Sequence, residues 1–356
     1  LIAAVEAYPP GTDWRVRHKG SDHAALAQAV AKGLVQLALT SGFADVAAWA
    51  NAEAPGHVVV ELTQGDATIP APPSPIDDVP EVLETINGFG RPMGIAGSGA
   101  IRQSWGRVLA TLSIPVFSTA SAKGVIDETL PHAAGVYTGV GLAETPEALL
   151  LAETDLIVGL GLRPTEFLVA NFPKPSVNID TLSSAKAFGF AAASGPGIVD
   201  QALAALAEKE WGMARTQLVV GKLRVTMLNG SFRPAQILEA VDRRFDGQVR
   251  GVFDVGYFCT IGEHAWRARR PDLCLMSGNG RYMGTAIPMG LGAALHDGDV
   301  PTVIFVGDGG IGGPVAELKI AVEAKLPVMV VLLSDGGYGS VRTRAIRDGL
   351  TQAPLL

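Results

Sequence analysis

The sequence is poor in cysteine, in aromatic residues and in long apolar runs. Its 356 residues include two cysteines, Cys259 and Cys274, and 6% aromatic residues. Two isolated cysteines in a chain of this length argue against a disulfide framework and indicate a reducing compartment. We therefore expect buried free thiols and a cytoplasmic protein.

The sequence also lacks the patterns of a membrane span and of a nucleic-acid surface. No apolar run reaches the roughly 18 residues that a membrane-spanning helix requires. The net charge is −7, and no block of Lys and Arg offers the clustered cations that phosphate backbones need. An anionic small molecule stays compatible, since a local pocket can be positive in an acidic protein. The chain starts at Leu1 without a charged leader, so we expect it to start inside a longer protein.

Apolar residues are abundant, at 48% of the chain, and the length predicts two or three domains. Residues 22–50 carry apolar side chains at helical spacing, and residues 57–62 form a run that predicts a buried strand. Five prolines between residues 66 and 80 predict a linker, because proline fits neither a helix interior nor a central strand.

Two further units alternate short apolar runs with helical patterns, which is typical of parallel sheets covered on both faces. Their predicted strands are Pro92–Ala96, Ile114–Ser118, Leu156–Leu160, Val177–Ile179, Gly251–Asp254, Thr302–Val306 and Val328–Leu333. Their predicted helices are Thr145–Ala152, residues 199–210, Gln236–Phe245 and Pro314–Glu323. The predicted fold class is therefore α/β, with doubly wound parallel sheets.

One of these apolar runs, Thr302–Val306, leads directly into Gly307-Asp308-Gly309-Gly310. Parallel sheets bind ligands at the carboxyl ends of their strands, and glycines let the backbone approach phosphate oxygens closely. One hard carboxylate at that place can hold Mg²⁺, which keeps phosphate oxygens among its ligands. Taken alone, Gly-Asp-Gly is more typical of a simple β-turn.

A second carboxylate strengthens the ligand interpretation. The run Val328–Leu333 ends in Ser334-Asp335-Gly336-Gly337, and Asp335 stands 27 residues after Asp308. Neighbouring parallel strands end at the same edge of a sheet, so the two carboxylates are expected close together. Two such groups need a cation between them or a raised pKa. Mg²⁺ with a diphosphate explains both the carboxylates and the glycines.

Residues 276–345 resemble the diphosphate-binding domain of the thiamine-diphosphate-dependent enzymes, the family of acetolactate synthase, pyruvate oxidase and the 2-oxo acid decarboxylases. The family motif is Gly-Asp-Gly, followed after an intervening helix and strand by Asn-Asn. The resemblance implies that Asp308 and Asp335 provide side-chain ligands to Mg²⁺ and that Gly337 provides a backbone carbonyl. Ser334-Asp335 stands where the family has Asn-Asn, which adds a negative charge beside the diphosphate.

The same resemblance assigns contacts with the rest of the cofactor. The glycines that it places around the diphosphate are Gly256, Gly307, Gly309 and Gly310. Met283, 25 positions before Asp308, is implied to support the bent shape of thiamine diphosphate. The backbone carbonyl of Arg281 is implied to accept a hydrogen bond from the aminopyrimidine ring. Family members usually carry glycine where Arg281 stands.

The resemblance continues along the chain and implies five segments. These are a C-terminal remnant of the pyrimidine-binding domain (1–66), a linker (67–85), a Rossmann-like central domain (86–190), a second linker (191–230) and a diphosphate-binding domain truncated at its C-terminus (231–356). The glutamate that activates the cofactor in this family would precede Leu1, so no catalytic residue is assigned. Glu61 is predicted to be structural.

The activity implied by the resemblance is decarboxylation of a 2-oxo acid that depends on thiamine diphosphate and Mg²⁺. It ends in release of an aldehyde or in carboligation, and it belongs to a lyase or transferase that forms a homodimer or homotetramer. Two alternatives stay open: a non-catalytic or incomplete cofactor-binding homologue, and a nucleotide-dependent enzyme that uses the central domain. FAD or ADP is not expected there, because Gly97-Ser98-Gly99 is a weak signal.

Several other side chains are weaker candidates for the substrate pocket. They are His264, the cluster Arg267, Arg269 and Arg270, and the pair Tyr338 and Arg342. A guanidinium can bind a carboxylate through two hydrogen bonds, which would suit a 2-oxo acid. A packing or solvent-exposed role is the more common outcome for such residues.

Overall fold

The structure, a computed structural model, describes residues 2–4, 33–38, 58–63, 80–163, 166–168, 172–180, 192–194, 196–231, 233–276 and 281–350. Strands within these residues form three sheets with three, six and four strands. All pairings between neighbouring strands are parallel. The predicted α/β class with parallel sheets is therefore confirmed.

The smallest sheet is built from the first part of the chain. Its strands are β1 (Ile2–Ala4), β2 (Gly33–Ala38) and β3 (Val58–Thr63), in the spatial order β1-β3-β2. The strand predicted at residues 57–62 is present as β3. The helical pattern predicted over residues 22–50 differs from the structure, which has β2 at residues 33–38. A short apolar run is compatible with both a helix and a strand, and here pairing with β3 makes the segment a strand.

The six-stranded sheet is doubly wound. Its strands are β4 (Pro92–Ala96), β5 (Val116–Ser118), β6 (Ala133–Val136), β7 (Leu156–Leu160), β8 (Ser176–Ile179) and β9 (Ala192–Ser194). The spatial order is β6-β5-β4-β7-β8-β9. The chain starts in the middle, adds two strands on one side, and then returns to the other side of β4. The strand order therefore reverses between β4 and β7.

Helices cover this sheet. They are α1 (Glu81–Gly88), α2 (Ser98–Arg102), α3 (Gly106–Leu109), α4 (Pro146–Glu153), α5 (Pro196–Ala207) and α6 (Met213–Leu228). Helix α4 starts at a proline, which suits the first helical position, and the Thr145 hydroxyl accepts a hydrogen bond from the Ala148 amide. Of the linker predicted over residues 67–85, residues 67–79 lie outside the described part of the chain.

The segment 191–230, predicted to be a linker, contains β9, α5 and α6. Strand β9 pairs with β8. Leu203 and Leu206 of α5 are buried in the same apolar cluster as Val158 of β7. Val219 of α6 is buried with Leu150 of α4. These helices therefore pack on the six-stranded sheet, and their apolar faces are the reason that the segment is ordered there.

The four-stranded sheet follows. Its strands are β10 (Arg250–Phe253), β11 (Cys274–Met276), β12 (Thr302–Gly307) and β13 (Val328–Leu333), in the order β11-β10-β12-β13. Its helices are α7 (Pro234–Arg244), α8 (Tyr257–Ala265), α9 (Ala286–His296), α10 (Asp308–Ile311), α11 (Leu318–Glu323) and α12 (Gly339–Arg347). The helix predicted at Pro314–Glu323 is a 3₁₀ turn, Pro314–Glu317, followed by α11.

Three large aromatic side chains form the centre of this unit. Phe253 stacks on Phe305 with ring centroids 4.8 Å apart, and Trp266 meets both rings edge-on at 5.7 and 5.8 Å. Each such pair adds about 0.5–1.5 kcal/mol beyond the area that it buries. The contact fixes β10 against β12, the two strands between which the strand order reverses. Ligands of open α/β sheets bind at the carboxyl ends of such strands.

Cys259 and Cys274 are both buried free thiols, as predicted. Burial raises the pKa of the Cys259 thiol to about 12, so this thiol stays protonated and unreactive at neutral pH. Among the described helices, none has the length and apolar character that crossing a bilayer requires.

A buried ion pair lies where the six-stranded and four-stranded units meet. Lys123 and Glu128 of the first unit have side chains only 2% and 6% exposed, and Lys123 Nζ lies 2.6 Å from Glu128 Oε2. Lys123 Nζ also donates to the backbone oxygen of Glu263 at 3.0 Å. Glu128 Oε2 accepts from the Ala268 amide at 2.7 Å. The pair therefore connects the two units through hydrogen bonds to both.

Removing one charge of this pair should cost far more than removing both. We expect Lys123→Met to lower the free energy of unfolding by about 3–5 kcal/mol, because it leaves the Glu128 carboxylate buried and unpaired. The double variant Lys123→Met/Glu128→Gln should lose less stability, because no charge of the pair remains and the Gln oxygen can still accept a hydrogen bond from the Ala268 amide. Urea unfolding followed by circular dichroism measures both. Equal losses in the two variants would contradict this interpretation of the contact.

Candidate functional site

The carboxyl ends of β10, β12 and β13 open onto one cavity of about 530 Å³. Its size is within the usual range for small-molecule and cofactor sites. Helices α8, α10 and α12 start at its edge, and Pro234 and Ile237 of α7 form part of its wall. The cavity therefore lies where the strand order reverses, as expected for a ligand site in this class of sheet.

Most of the side chains and glycines singled out from the sequence surround this cavity. Those that line it are Gly256, Met283, Gly307, Asp308, Gly309, Gly310, Asp335 and Gly337. They come from four segments of the chain that are separated in the sequence, and the fold brings them together. Arg281 is not among the lining residues. Tyr338, one of the weaker candidates, is among them.

Asp308, directly after β12, is partly exposed and accepts three hydrogen bonds. The Gly309 amide donates to Oδ1 at 2.8 Å. The Ser334 hydroxyl and the Gly336 amide donate to Oδ2 at 2.6 and 3.1 Å. These donors, the Ser334 hydroxyl first, hold the pKa of the Asp308 carboxyl below its ordinary value. Asp308 is therefore ionised at neutral pH, as a ligand of a hard cation must be.

Ser334 had no predicted role apart from its departure from the family pattern. In the structure its hydroxyl connects the end of β13 to Asp308. The neighbouring carboxylate, Asp335, is directed toward the start of α12, where its Oδ2 occupies the space that a side chain on Gly339 would need. Glycine at position 339 therefore leaves room for the carboxylate at the helix start.

Asp254, directly after β10, connects this strand to the turn that carries Met283, and no role was predicted for it from the sequence. Its carboxylate is fully buried and accepts from the amides of Gly284 and Thr285 at 3.0 and 3.1 Å. These bonds attach the turn at residues 281–285 to the end of β10. A Cβ on Gly310 would overlap Asp254 Oδ2, so a glycine is needed at that position. A strand that ends in an aspartate just before Gly256 was the available signal.

Met283 lies on the turn that Asp254 holds. A Cβ on Gly309 would meet Met283 Cε at 3.2 Å and Tyr338 Cε1 at 2.7 Å. Met283 and Tyr338 therefore converge on the glycine that follows Asp308. Met283 is 46% exposed, so a large apolar side chain faces the cavity and not the core.

Arg281, two residues before Met283, has φ +48°. This left-handed conformation costs a non-glycine residue about 1–3 kcal/mol and persists only where its surroundings fix it. The guanidinium donates to the carboxylate of Glu263 on α8. Burial raises the pKa of the Glu263 carboxyl, and Arg281 acts against that shift. This pair was not predicted, because its members are 18 residues apart with β11 between them.

The remaining candidates lie elsewhere. His264 borders a small interdomain cavity with Lys123 and Glu128, and burial lowers the pKa of its imidazole to about 4. Each arginine of the predicted basic cluster has a carboxylate nearby; the pairs are Arg267 with Asp242, Arg269 with Asp246, and Arg270 with Asp272. These contacts favour a structural role for the cluster over substrate capture.

The weak glycine signal of the central domain lies at the carboxyl end of β4. The Glu166 carboxylate occupies this place, accepting from the Ser98 amide at 2.9 Å, the Thr119 hydroxyl at 3.2 Å and the Arg163 amide at 3.3 Å. A phosphate group that approached the Gly97–Gly99 turn would have to displace this carboxylate.

The donor set of the larger cavity fits Mg²⁺ together with a diphosphate. It offers hard oxygens: the carboxylates of Asp308 and Asp335 and the backbone carbonyl of Gly337. Within the described residues no three acidic, histidine or cysteine side chains form a metal cluster by themselves. Mg²⁺ commonly takes one or two carboxylates and completes its shell with phosphate oxygens and water. Glycines around Asp308 give phosphate oxygens the access that they need.

Comparison with known proteins agrees with this geometry. The family model "Thiamine pyrophosphate enzyme, C-terminal TPP binding domain" matches residues 254–353, which hold the cavity. The family model "Thiamine pyrophosphate enzyme, central domain" matches residues 79–187, which hold most of the six-stranded sheet. Together the two models match more than half of the chain.

The proteins that are similar in sequence to this chain include acetolactate synthases and a probable decarboxylase. The chain is 26% identical over 276 residues to the acetolactate synthase large subunit of Haemophilus influenzae, covering 71% of this chain and 48% of that protein. It is 28% identical over 272 residues to the probable 2-ketoarginine decarboxylase AruI of Pseudomonas aeruginosa, covering 71% and 47%. It is 26% identical over 290 residues to an acetolactate synthase of Bacillus subtilis, covering 76% and 49%. The chain thus spans about half the length of the curated relatives it matches.

Two neighbouring glycines allow a matched test of the Asp254 contact. Gly310→Ala should lower the free energy of unfolding by about 1–3 kcal/mol, because its methyl group overlaps the Asp254 carboxylate. Gly312→Ala, where nothing lies within 4 Å of an added Cβ, should be neutral or stabilising by about 0.4–1 kcal/mol. Urea unfolding compares the two variants. If the two variants have the same free energy of unfolding, the Asp254 contact does not require a glycine at position 310.

The Ser334 contact predicts a pH effect. The hydroxyl stabilises the charged form of Asp308, so Ser334→Ala should raise the pKa of that carboxyl toward its ordinary value. The ionised form stabilises the fold at neutral pH, and this contribution falls as the pH drops through the folded-state pKa. A ¹³C NMR titration of the carboxyl without Mg²⁺ measures the shift. Ser340→Ala, which removes another cavity hydroxyl, serves as control and should leave the titration unchanged.

Proposed function

The chain belongs to the family of thiamine-diphosphate-dependent enzymes, and from this premise we propose that it is part of an enzyme that decarboxylates a 2-oxo acid. The reaction would use thiamine diphosphate and Mg²⁺ and end with release of an aldehyde or with carboligation. The observation that carries the proposal is the cavity between β10 and β12. The residues that line it include the partly exposed Asp308 carboxylate, several glycines and the large apolar side chain of Met283.

The proposed roles follow the donors that the cavity offers. Asp308, Asp335 and the carbonyl of Gly337 would hold Mg²⁺. The glycines proposed to meet the diphosphate are Gly256, Gly307, Gly309 and Gly310. The carboxylates of Asp308 and Asp335 would repel the negative charge of a diphosphate, so a divalent cation is needed between them.

The organic part of the cofactor would lie against Met283, with the Arg281 carbonyl toward its aminopyrimidine. The bound cofactor supplies the chemistry, since its thiazolium ring accepts the electrons released when CO₂ leaves. The chain's own contribution is to hold and orient. Met283 and Tyr338 would offer the cofactor an apolar surface, and Asp254 fixes the turn on which Met283 lies.

The substrate class is proposed from the chemistry that the similar proteins' names share. A probable 2-ketoarginine decarboxylase and a probable pyruvate decarboxylase are both named for the decarboxylation of 2-oxo acids. Loss of CO₂ is the step that we extend to this protein. The segment Gly336–Arg342 resembles decarboxylase-type relatives more than acetolactate synthases, which favours aldehyde release. A cytoplasmic homodimer or homotetramer completes the proposal.

Mg²⁺-dependent binding of thiamine diphosphate tests the site assignment. The unchanged protein should show an adduct with thiamine diphosphate and Mg²⁺ in native mass spectrometry, and EDTA should remove it. Asp308→Ala should abolish the adduct, because the site loses its ionised ligand. Asp299→Ala, at an exposed aspartate away from the cavity, is the matched control and should retain it. Unchanged binding in Asp308→Ala would refute the assignment.

A further inference from the structure

Arg281 has a conformation that its residue type disfavours. Its φ of +48° is a conformation that glycine adopts freely and other residues rarely. It is also the residue whose backbone carbonyl is proposed to meet the aminopyrimidine. A contact that keeps Arg281 in this conformation therefore sets the direction of that carbonyl and the start of the turn at residues 281–285.

Glu263 makes this contact. Its side chain is 1% exposed, and its Oε1 accepts from the Arg281 guanidinium. Its other oxygen is buried and has no hydrogen-bond partner within the described residues. A buried carboxylate strongly needs a compensating cation. The pair therefore holds the Arg281 side chain against α8.

The turn has a second anchor two residues beyond Met283. The Asp254 carboxylate holds the amides of Gly284 and Thr285. Met283 thus lies between two fixed points, the ion pair before it and the buried aspartate after it. Its side chain reaches Gly309 across the cavity. Loss of either the ion pair or the Asp254 contact would free one end of the turn at residues 281–285.

Glu263 is itself fixed from two sides. It lies near the C-terminal end of α8, and the N-terminal end of the same helix lines the cavity at Tyr257 and Phe258. Its backbone oxygen accepts from the buried Lys123 of the six-stranded unit. The position of the carboxylate is therefore set by the cavity helix and by the central domain together.

We propose that Glu263 is a positioning residue, which through its ion pair with Arg281 holds the turn at residues 281–285 in the shape that cofactor binding requires. The consequence for the cofactor rests on the proposed function. The consequence for the turn does not, because the contacts belong to the protein alone. Glu263 acts through Arg281 and touches neither substrate nor cofactor.

A suppressor experiment distinguishes positioning from general support. Glu263→Gln keeps the volume and removes the charge, so the arginine loses its counter-ion and the turn loosens. Adding Arg281→Gly should restore the turn, because glycine adopts the left-handed conformation without an ion pair. Arg281→Lys keeps a positive charge at this place but removes the planar guanidinium, so it should loosen the turn less than Glu263→Gln does. Asp272→Asn, which breaks an exposed arginine–carboxylate pair, is the control.

Two measurements are made on each variant. Hydrogen exchange of the Gly284 and Thr285 amides in the cofactor-free protein reports the turn directly. We expect exchange to be about tenfold faster in Glu263→Gln, which corresponds to the weakening of one charged hydrogen bond. In the double variant the exchange rate should be close to that of the unchanged protein. Affinity for thiamine diphosphate with Mg²⁺ should fall about 10- to 100-fold in Glu263→Gln, as it does for side chains that orient the residues contacting a ligand. The affinity should recover in the double variant.

The outcomes separate the two proposals. If Glu263→Gln leaves exchange unchanged, or if Arg281→Gly fails to suppress its effect, Glu263 does not position the turn. If exchange responds as expected but the unchanged protein binds no thiamine diphosphate, the ion pair stands and the proposed function fails. If Glu263→Gln does not fold, Arg281→Lys carries the test through the same exchange measurement, and unchanged exchange there overturns the proposal.

Discussion

The cavity depends on one buried carboxylate. Asp254 ends β10 with no exposed surface and accepts two backbone amides from the turn that carries Met283. A buried charge is tolerated only when it is fully hydrogen-bonded, so the turn cannot move away without exposing or stranding it. The same carboxylate requires a glycine at position 310, directly beside the Asp308 strand end. Strand, turn and glycine loop are therefore tied to one another at a single point.

Two aspartates at the same edge of the sheet have opposite environments. Asp254 is buried and its oxygens are satisfied by amides of the turn. Asp308 is partly exposed, and a hydroxyl and two amides keep it ionised. The first environment suits a structural anchor, and the second suits a ligand that a hard cation can reach. The reversal of strand order between β10 and β12 is what places the two side by side while giving each a different neighbourhood.

The sequence predicted those parts of the site that depend on residues close together in the chain. Asp308, its glycines and Met283 follow from a strand end and from spacing, and the parallel sheets follow from alternating apolar runs. Asp254 and Glu263 could not be predicted in the same way, because their partners are backbone amides 30 residues away and an arginine with an unusual φ. Helix α5 agrees with the helix predicted over residues 199–210. Strand β2 and helix α6, in contrast, were not predicted. Tertiary packing, which local periodicity does not contain, decides their structure.

The central domain contributes to the cavity by contact. Its own crevice, between β4 and β7, holds the Glu166 carboxylate against the turn where a nucleotide phosphate would bind in a sheet of this order. Its Lys123, in contrast, reaches across to the backbone of Glu263 and is held there by Glu128. The route from Lys123 through Glu263 to Arg281 ends two residues before Met283. A change in how the two units meet would therefore act on the turn that carries Met283, which gives the six-stranded unit a physical connection to the site.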